Sequence, residues 1–256
     1  MGDILKKTII LLILMVEGFV YSAPFIDRVV SVQFGENNDP LYADSSKVLG
    51  PPRAYDSQGL GGSEDVLNIG VGGSVIVEFI ENVIYDGEGV DFVIFENPFY
   101  IGGDFDRVYL EPAYVFVSSD GDNFTSFPVN YLPQNPPLST GDDNPDHYIG
   151  FAGIRPVFSN PENGINPLDP SVSGGDTFDL SDIKEDAAKK GIDLQNIRFI
   201  KIQDVRRRVD VDADGDVIPG TTNPLVNGFD LDAIAAINAK KPAVKSSAQK
   251  SWILYE

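Results

Sequence analysis

The chain has 256 residues and 42% hydrophobic content, enough to bury a core and too apolar for a disordered protein. Its formal net charge of −20 makes nucleic acid and anionic membrane poor partners and cations good ones. It has no cysteine, which excludes a disulfide framework, a thiolate metal site and a lipid-modified N-terminal cysteine.

Taken in chain order, the first 22 residues read as a secretory signal peptide. Lys6 and Lys7 precede an apolar run from Thr8 to Val16, and cleavage is expected after Ser22. The run is short for a membrane span and Glu17 interrupts it, so no span is expected after cleavage. The removed segment holds Asp3, Glu17, Lys6 and Lys7, which leaves the net charge unchanged. Residues 23–239 then read as one domain.

Strand character appears at Val29–Phe34, and again at Ser74–Ile80, where apolar and other residues alternate. Val90–Glu96 is more continuously apolar, which predicts a strand covered on both sides. Tyr114–Ser118 and Phe124–Val129 flank "SDGDN", an aspartate–glycine hairpin signal. The Pro-, Asn-, Gly- and Asp-rich stretch from Leu132 to Asp176 is too long for a plain connection. It is read either as a binding loop or as ordered excursions over the sheets. One short helix is predicted after Ser181 as cap, closed by Lys189, Lys190 and Gly191. Asn196–Val205 alternates again, and Phe229–Ile237 is the last expected element before a basic flexible tail over 240–256. Gly (25) and Pro (18) together exceed the usual share of roughly 12%. Many short strands and turns predict an all-β fold, an antiparallel β-sandwich of the jelly-roll kind with long loops.

The stretch "VDVDADGDVIPG" places aspartates at 210, 212, 214 and 216 with Gly215 among them. Calcium takes six to eight oxygen ligands at flexible geometry, and alternating aspartates on a curled loop supply them. Asp210, Asp212 and Asp214 are expected to ligate through carboxylates and Asp216 through its carbonyl, as at positions 1, 3, 5 and 7 of an EF-hand loop. The twelfth position is Thr221 instead of glutamate, and the flanks read as strand and loop. Asp230 and Asp232 are the nearest candidates for the missing ligand. A solvated acidic loop neutralised by Arg206, Arg207 and Arg208 is the alternative. With a dissociation constant near 0.1 mM and about 1 mM calcium, such a clip would add roughly 1.4 kcal/mol, enough to order a loop and too little to make the fold.

The segments "GVDFVIFENPF", "EPAYVFVSSDGDNF", "FAGIRPVF", "SGGDTFDLSDI" and "NGFDLDAIAAI" follow one another in an order that resembles a family of exported bacterial cell-surface proteins, many of them lipoproteins of unassigned function. The resemblance spans about Val29–Ile237, nearly all of the mature chain. It is similar in turn to galactose-binding-like jelly rolls, which is the fold the resemblance implies. Lipoprotein members carry a cysteine at the cleavage site; this chain lacks it, so release, or attachment by other means, is expected.

Glu96 and Asn97 in "FEN", and Asp176 and Asp179 in "GGDTFDL", are read either as a second cation or ligand site or as turn caps. His147 is the single histidine and no G-x-S-x-G accompanies it, so a serine triad lacks support. Paired carboxylates could cut or eliminate at a glycosidic bond, with Glu96 and Glu111 the first acids to test. Tyr100, Phe105, Tyr131 and Tyr148 near turns could instead stack on a sugar. The reading is a secreted or cell-surface calcium-binding protein that binds a ligand without catalysis. An extracellular glycan or another surface protein is the expected partner. A glycoside hydrolase or lyase, and a purely structural adhesion protein, are the alternatives.

Overall fold

A computed structural model describes residues 24–133, 141–223 and 227–242. The expected signal peptide and most of the expected tail lie outside these residues. The strands are β1 (Arg28–Gln33), β2 (Leu67–Asn68), β3 (Ser74–Glu78), β4 (Val83–Ile84), β5 (Phe92–Phe95), β6 (Phe99–Tyr100), β7 (Val108–Tyr109) and β8 (Ala113–Ser118). They continue with β9 (Thr125–Ser126), β10 (Asn130–Tyr131), β11 (Tyr148–Ile149), β12 (Asp176–Phe178), β13 (Phe199–Asp204), β14 (Asp230–Leu231), β15 (Ala233–Ala236) and β16 (Ala239–Lys240). The helices are α1 (Pro170–Ser173) and α2 (Lys184–Lys190), so a second short helix joins the one expected.

The regular elements are mostly strands, paired in several antiparallel sheets. The largest runs β1-β3-β13-β8-β9, and a three-stranded sheet runs β12-β5-β15. The alternation read from the sequence sets the packing. Val75 and Val77 of β3, Ile200 and Ile202 of β13, and Val115 and Val117 of β8 point to one side and are buried. They share one apolar cluster with Phe92 and Ile94 of β5 and with Ile234 of β15. Val93 and Phe95, on the other side of β5, pack with Ala233, Ala235 and Phe25. All four residues of β5 are therefore buried, as its unbroken apolar run predicts.

The "SDGDN" turn joins β8 to β9 as expected. Asp120 Oδ1 accepts from the amides of Asp122 and Asn123 at 2.9 and 2.8 Å, which curls the turn. The helix begins differently from expectation. Asp179 caps a 3-10 turn at Leu180–Ile183 by accepting from the Ser181 amide, and α2 follows that turn. Its end matches the reading, with Lys189 and Lys190 in the last turn and Gly191 left-handed at φ 71°. The described part of the stretch between Leu132 and Asp176 is a set of ordered excursions. β11 pairs β10, and Asp169 caps α1. Asp176 accepts from the amides of Gly153, Ile154 and Arg155, pinning the chain there. No helix among the described residues is long and apolar enough to cross a membrane.

Candidate functional site

Three strand ends bring acids together. β5 runs into Glu96, β7 leads to Glu111, and β14 opens with Asp230. One carboxylate oxygen from each lies within 4.8 Å of the other two. Glu96 is 1% exposed and Glu111 3%.

Their partners are neutral donors. The Asp230 amide donates to Glu96 Oε1 at 3.0 Å, and the Gly228 amide donates to Glu111 Oε1 at 3.1 Å. Asn68 stands opposite Asp230 in the β2–β14 pair and donates Nδ2 to Asp230 Oδ1 at 2.7 Å. Asn97 Nδ2 reaches Asp230 Oδ2 at 3.2 Å. Gly228 presents its amide only because the chain there passes against Gly70. Its φ is +91°, and a Cβ would meet the Gly70 carbonyl carbon at 2.3 Å. None of the ion pairs seen among the described residues involves these three acids.

The electrostatic result is a set of carboxyls whose proton affinity is raised above the ordinary range. Burial pushes Glu96 well above the usual range, and the charges of Glu111 and Asp230 add to it. Burial does the same to Glu111, helped by Asp230 and Asp204. Burial raises Asp230 to about 6 against the amides of Asn68 and Asn97. Asp204, at the inward end of β13, accepts from the amides of Gly72 and Phe229 and is raised by burial to about 7. A hard divalent cation would compete with protons for these oxygens, and the oxygen-only donor set suits calcium or magnesium rather than zinc.

Beside the cluster lies a cleft of about 300 Å³ lined by Asn97, Phe99, Tyr109, Glu111 and Asp230. Phe99 and Tyr109 face each other across the β6–β7 pair and stack with ring centres 5.1 Å apart. Glu111 reaches this cleft. Glu96 does not line it.

The aspartates of 210–216 are used one at a time. Asp210 pairs with Arg206, whose guanidinium lies 2.6 Å away. Asp212 Oδ1 accepts from the amides of Asp214 and Asp216 at 3.0 and 2.9 Å, and its Oδ2 from the Tyr131 amide at 2.8 Å. Burial would raise Asp212, but these backbone donors outweigh it and hold the carboxyl below the ordinary range. Thr221 turns its hydroxyl to Asp143. Among the described residues, no three of these carboxylates converge on a common point as Glu96, Glu111 and Asp230 do. The two residues expected to complete that loop sit elsewhere: Asp230 is in the cluster above. Asp232 accepts from the Arg53 amide at 2.8 Å through Oδ2, while its buried Oδ1 has no hydrogen-bond partner among the described residues.

A second acidic group joins Asp86, Asp91 and Asp179. Asp91 is fully occupied as a brace, accepting from Gly87, Leu180 and Asn238, and Asp179 caps its 3-10 turn. Of the aromatics, Tyr131 and Tyr148 are core residues whose hydroxyls bond to Asp142, so they present no sugar-binding face. The Asp142 carboxylate also holds His147 Nδ1 at 2.6 Å.

Sequence reasoning named Glu96, Asn97, Glu111 and Asp230, but did not join them. It missed Asn68 and Asp204. Each interrupts an otherwise apolar inward series, "VLNIG" and Ile200-Ile202-Asp204, and a polar residue in such phase is the available signal. No protein-family model matches this sequence, and comparison with curated proteins finds no match.

Proposed function

We propose that this is a secreted or cell-surface protein that holds a calcium ion at Glu96, Glu111 and Asp230. On this reading the two main sheets form a jelly-roll sandwich. The ion clips together the ends of β5, β7 and β14, and the protein binds an extracellular ligand, a glycan, without catalysis. The observation that carries the proposal is the convergence of three largely buried carboxylates, none of which takes part in the ion pairs seen among the described residues. Three negative charges so placed must either be protonated or neutralised by a cation. Calcium fits better than magnesium because it accepts irregular oxygen sets and gives up its water readily.

A glycoside hydrolase reading would need both Glu96 and Glu111 to touch the scissile bond. Burial of Glu96 away from the cleft disfavours it. The 210–216 loop is proposed as a second, weaker calcium site. What favours it is the curl already imposed by Asp212, which leaves the carboxylates of Asp214 and Asp216 on the same tight turn.

The test is calorimetric titration of the metal-stripped protein with calcium, alongside Asp230→Asn. Loss in the variant of the tighter calcium-binding event, with the weaker event at 210–216 retained, supports the proposal. Calcium binding unchanged in Asp230→Asn, or none at millimolar concentration, overturns it.

A further inference from the structure

A second cavity, of about 620 Å³, lies on the other side of the β6–β7 pair. Neighbouring residues of a strand face opposite ways. Phe99 therefore lines the carboxylate cleft, while Tyr100 lines this cavity. Phe105 and Phe158 supply further rings, and Ser57, Gln58 and Ser171 supply polar groups.

The walls are set in advance. The Tyr100 amide donates to the Gly59 carbonyl at 2.7 Å. Gly59 has φ +71°, and a Cβ there would lie 2.8 Å from Pro156 Cβ and 3.0 Å from Phe158 Cε1. Only glycine lets the 57–60 loop seat this closely. Phe105 stands edge-on to Tyr100, ring centres 4.8 Å apart, yet is 68% exposed. A large ring left in water at the rim of a formed cavity is apolar area that a ligand would cover.

The lining selects the ligand by charge. Among the described residues it contains no Asp, Glu, Lys or Arg. The chain's charge of −20 disfavours anions, and no acid in the lining attracts a cation. What remains is a neutral molecule with both apolar faces and hydroxyls. Ser171 Oγ donates to Asp169 Oδ1 at 2.6 Å, so its lone pairs are turned to accept from a ligand hydroxyl. We infer that this cavity binds a neutral oligosaccharide, with one pyranose ring stacked on Phe105 and its hydroxyls met by Ser57, Gln58 and Ser171. The volume suits about two or three sugar rings. The inference rests on the non-catalytic binding proposed above, and not on the cation.

The experiment is calorimetry of the full chain in millimolar calcium. The probes are neutral trisaccharides of glucose, mannose, galactose and xylose, with trigalacturonate as the anionic arm and anilinonaphthalene sulfonate as the apolar arm. At least one neutral trisaccharide is expected to bind, weakened about tenfold in Phe105→Ala and in Gln58→Ala, with melting temperatures unchanged. No heat from any neutral trisaccharide at millimolar concentration overturns the inference. So does wild-type affinity in both variants, or binding of the anionic or apolar probe alone. The calcium-induced melting shift of the same wild-type sample is read separately. A shift without sugar binding sinks the cavity and spares the cation site, and sugar binding without a shift does the reverse.

Discussion

The Asp230 amide donates to Glu96 Oε1 at 3.0 Å across a sequence separation of 134 residues. One residue of this pair thus positions the other: the backbone of the acid on β14 fixes the carboxylate at the end of β5. Among the described residues the donors to the cluster are main-chain and side-chain amides. A cation that enters stabilises an arrangement already formed.

That arrangement gives Glu111→Gln two effects of opposite sign. In the metal-free protein the substitution removes one of three clustered acids while keeping an acceptor for the Gly228 amide. It should raise metal-free stability by about 1 kcal/mol. In millimolar calcium it should lower stability relative to wild type, because the ion loses a ligand. Melting curves with chelator and with calcium read both. A variant that destabilises equally in the two conditions would show Glu111 to be a plain structural acid.

The pH dependence follows from the raised carboxyls. Burial lifts Asp176 and Asp204 to about 7, Asp230 to about 6 and Asp232 to about 8. An exposed aspartate titrates near 4. These groups bind more protons folded than unfolded, so their contribution is complete below about pH 4 and is lost as pH rises through the folded values. Metal-free stability should therefore fall between about pH 4 and 8. Below that window Asp120, Asp143 and Asp212, whose carboxyls are held low, pull the other way. Millimolar calcium should flatten the fall, and its affinity should rise with pH as protons stop competing. Chelator melts at steps of one pH unit decide it; stability rising steadily from pH 5 to 8 without metal would contradict it.

Much of this fold was legible because burial follows period. The alternation in "SVIVEF" and "RFIKIQDV" marks the inward residues of β3 and β13, and the solid run in "FVIF" marks a strand covered twice. The helix start was placed two residues early, because Asp179 caps a 3-10 turn that takes in Ser181 and α2 begins only at Lys184 with no side-chain cap of its own. The cluster was not legible as a unit. Glu96, Glu111 and Asp230 lie at or just past the ends of separate strands that meet through non-local pairing, and no spacing encodes that. Local spacing instead drew attention to 210–216, where the aspartates alternate along one short loop and Asp210 and Asp212 bond the loop's own backbone.

Asp91 separates a brace from a ligand. It shares a group with Asp86 and Asp179, but its oxygens already accept from two amides and the Asn238 side chain. Asp91→Asn replaces one acceptor with a donor facing donors and should cost about 2 kcal/mol. The loss should be the same in chelator and in calcium. A calcium-dependent loss would assign this second group to metal binding.

The 210–216 loop allows a sharper division. Asp212 supplies three backbone bonds, so Asp212→Ala should cost about 2 kcal/mol and loosen the Tyr131 amide whether or not metal is present. Asp214 is exposed, and its side chain carries none of those bonds. Asp214→Asn should leave chelated stability unchanged. If the loop takes a second, weaker calcium ion, the same variant should lower the measured stoichiometry from about two ions to one, leaving the tighter site intact. Hydrogen exchange at the Tyr131 amide and calcium titration of the two variants measure each effect. A stoichiometry of one in wild type, unaltered in Asp214→Asn, would reduce the aspartates to a hydrogen-bonded turn. The ion would then belong to Glu96, Glu111 and Asp230 alone.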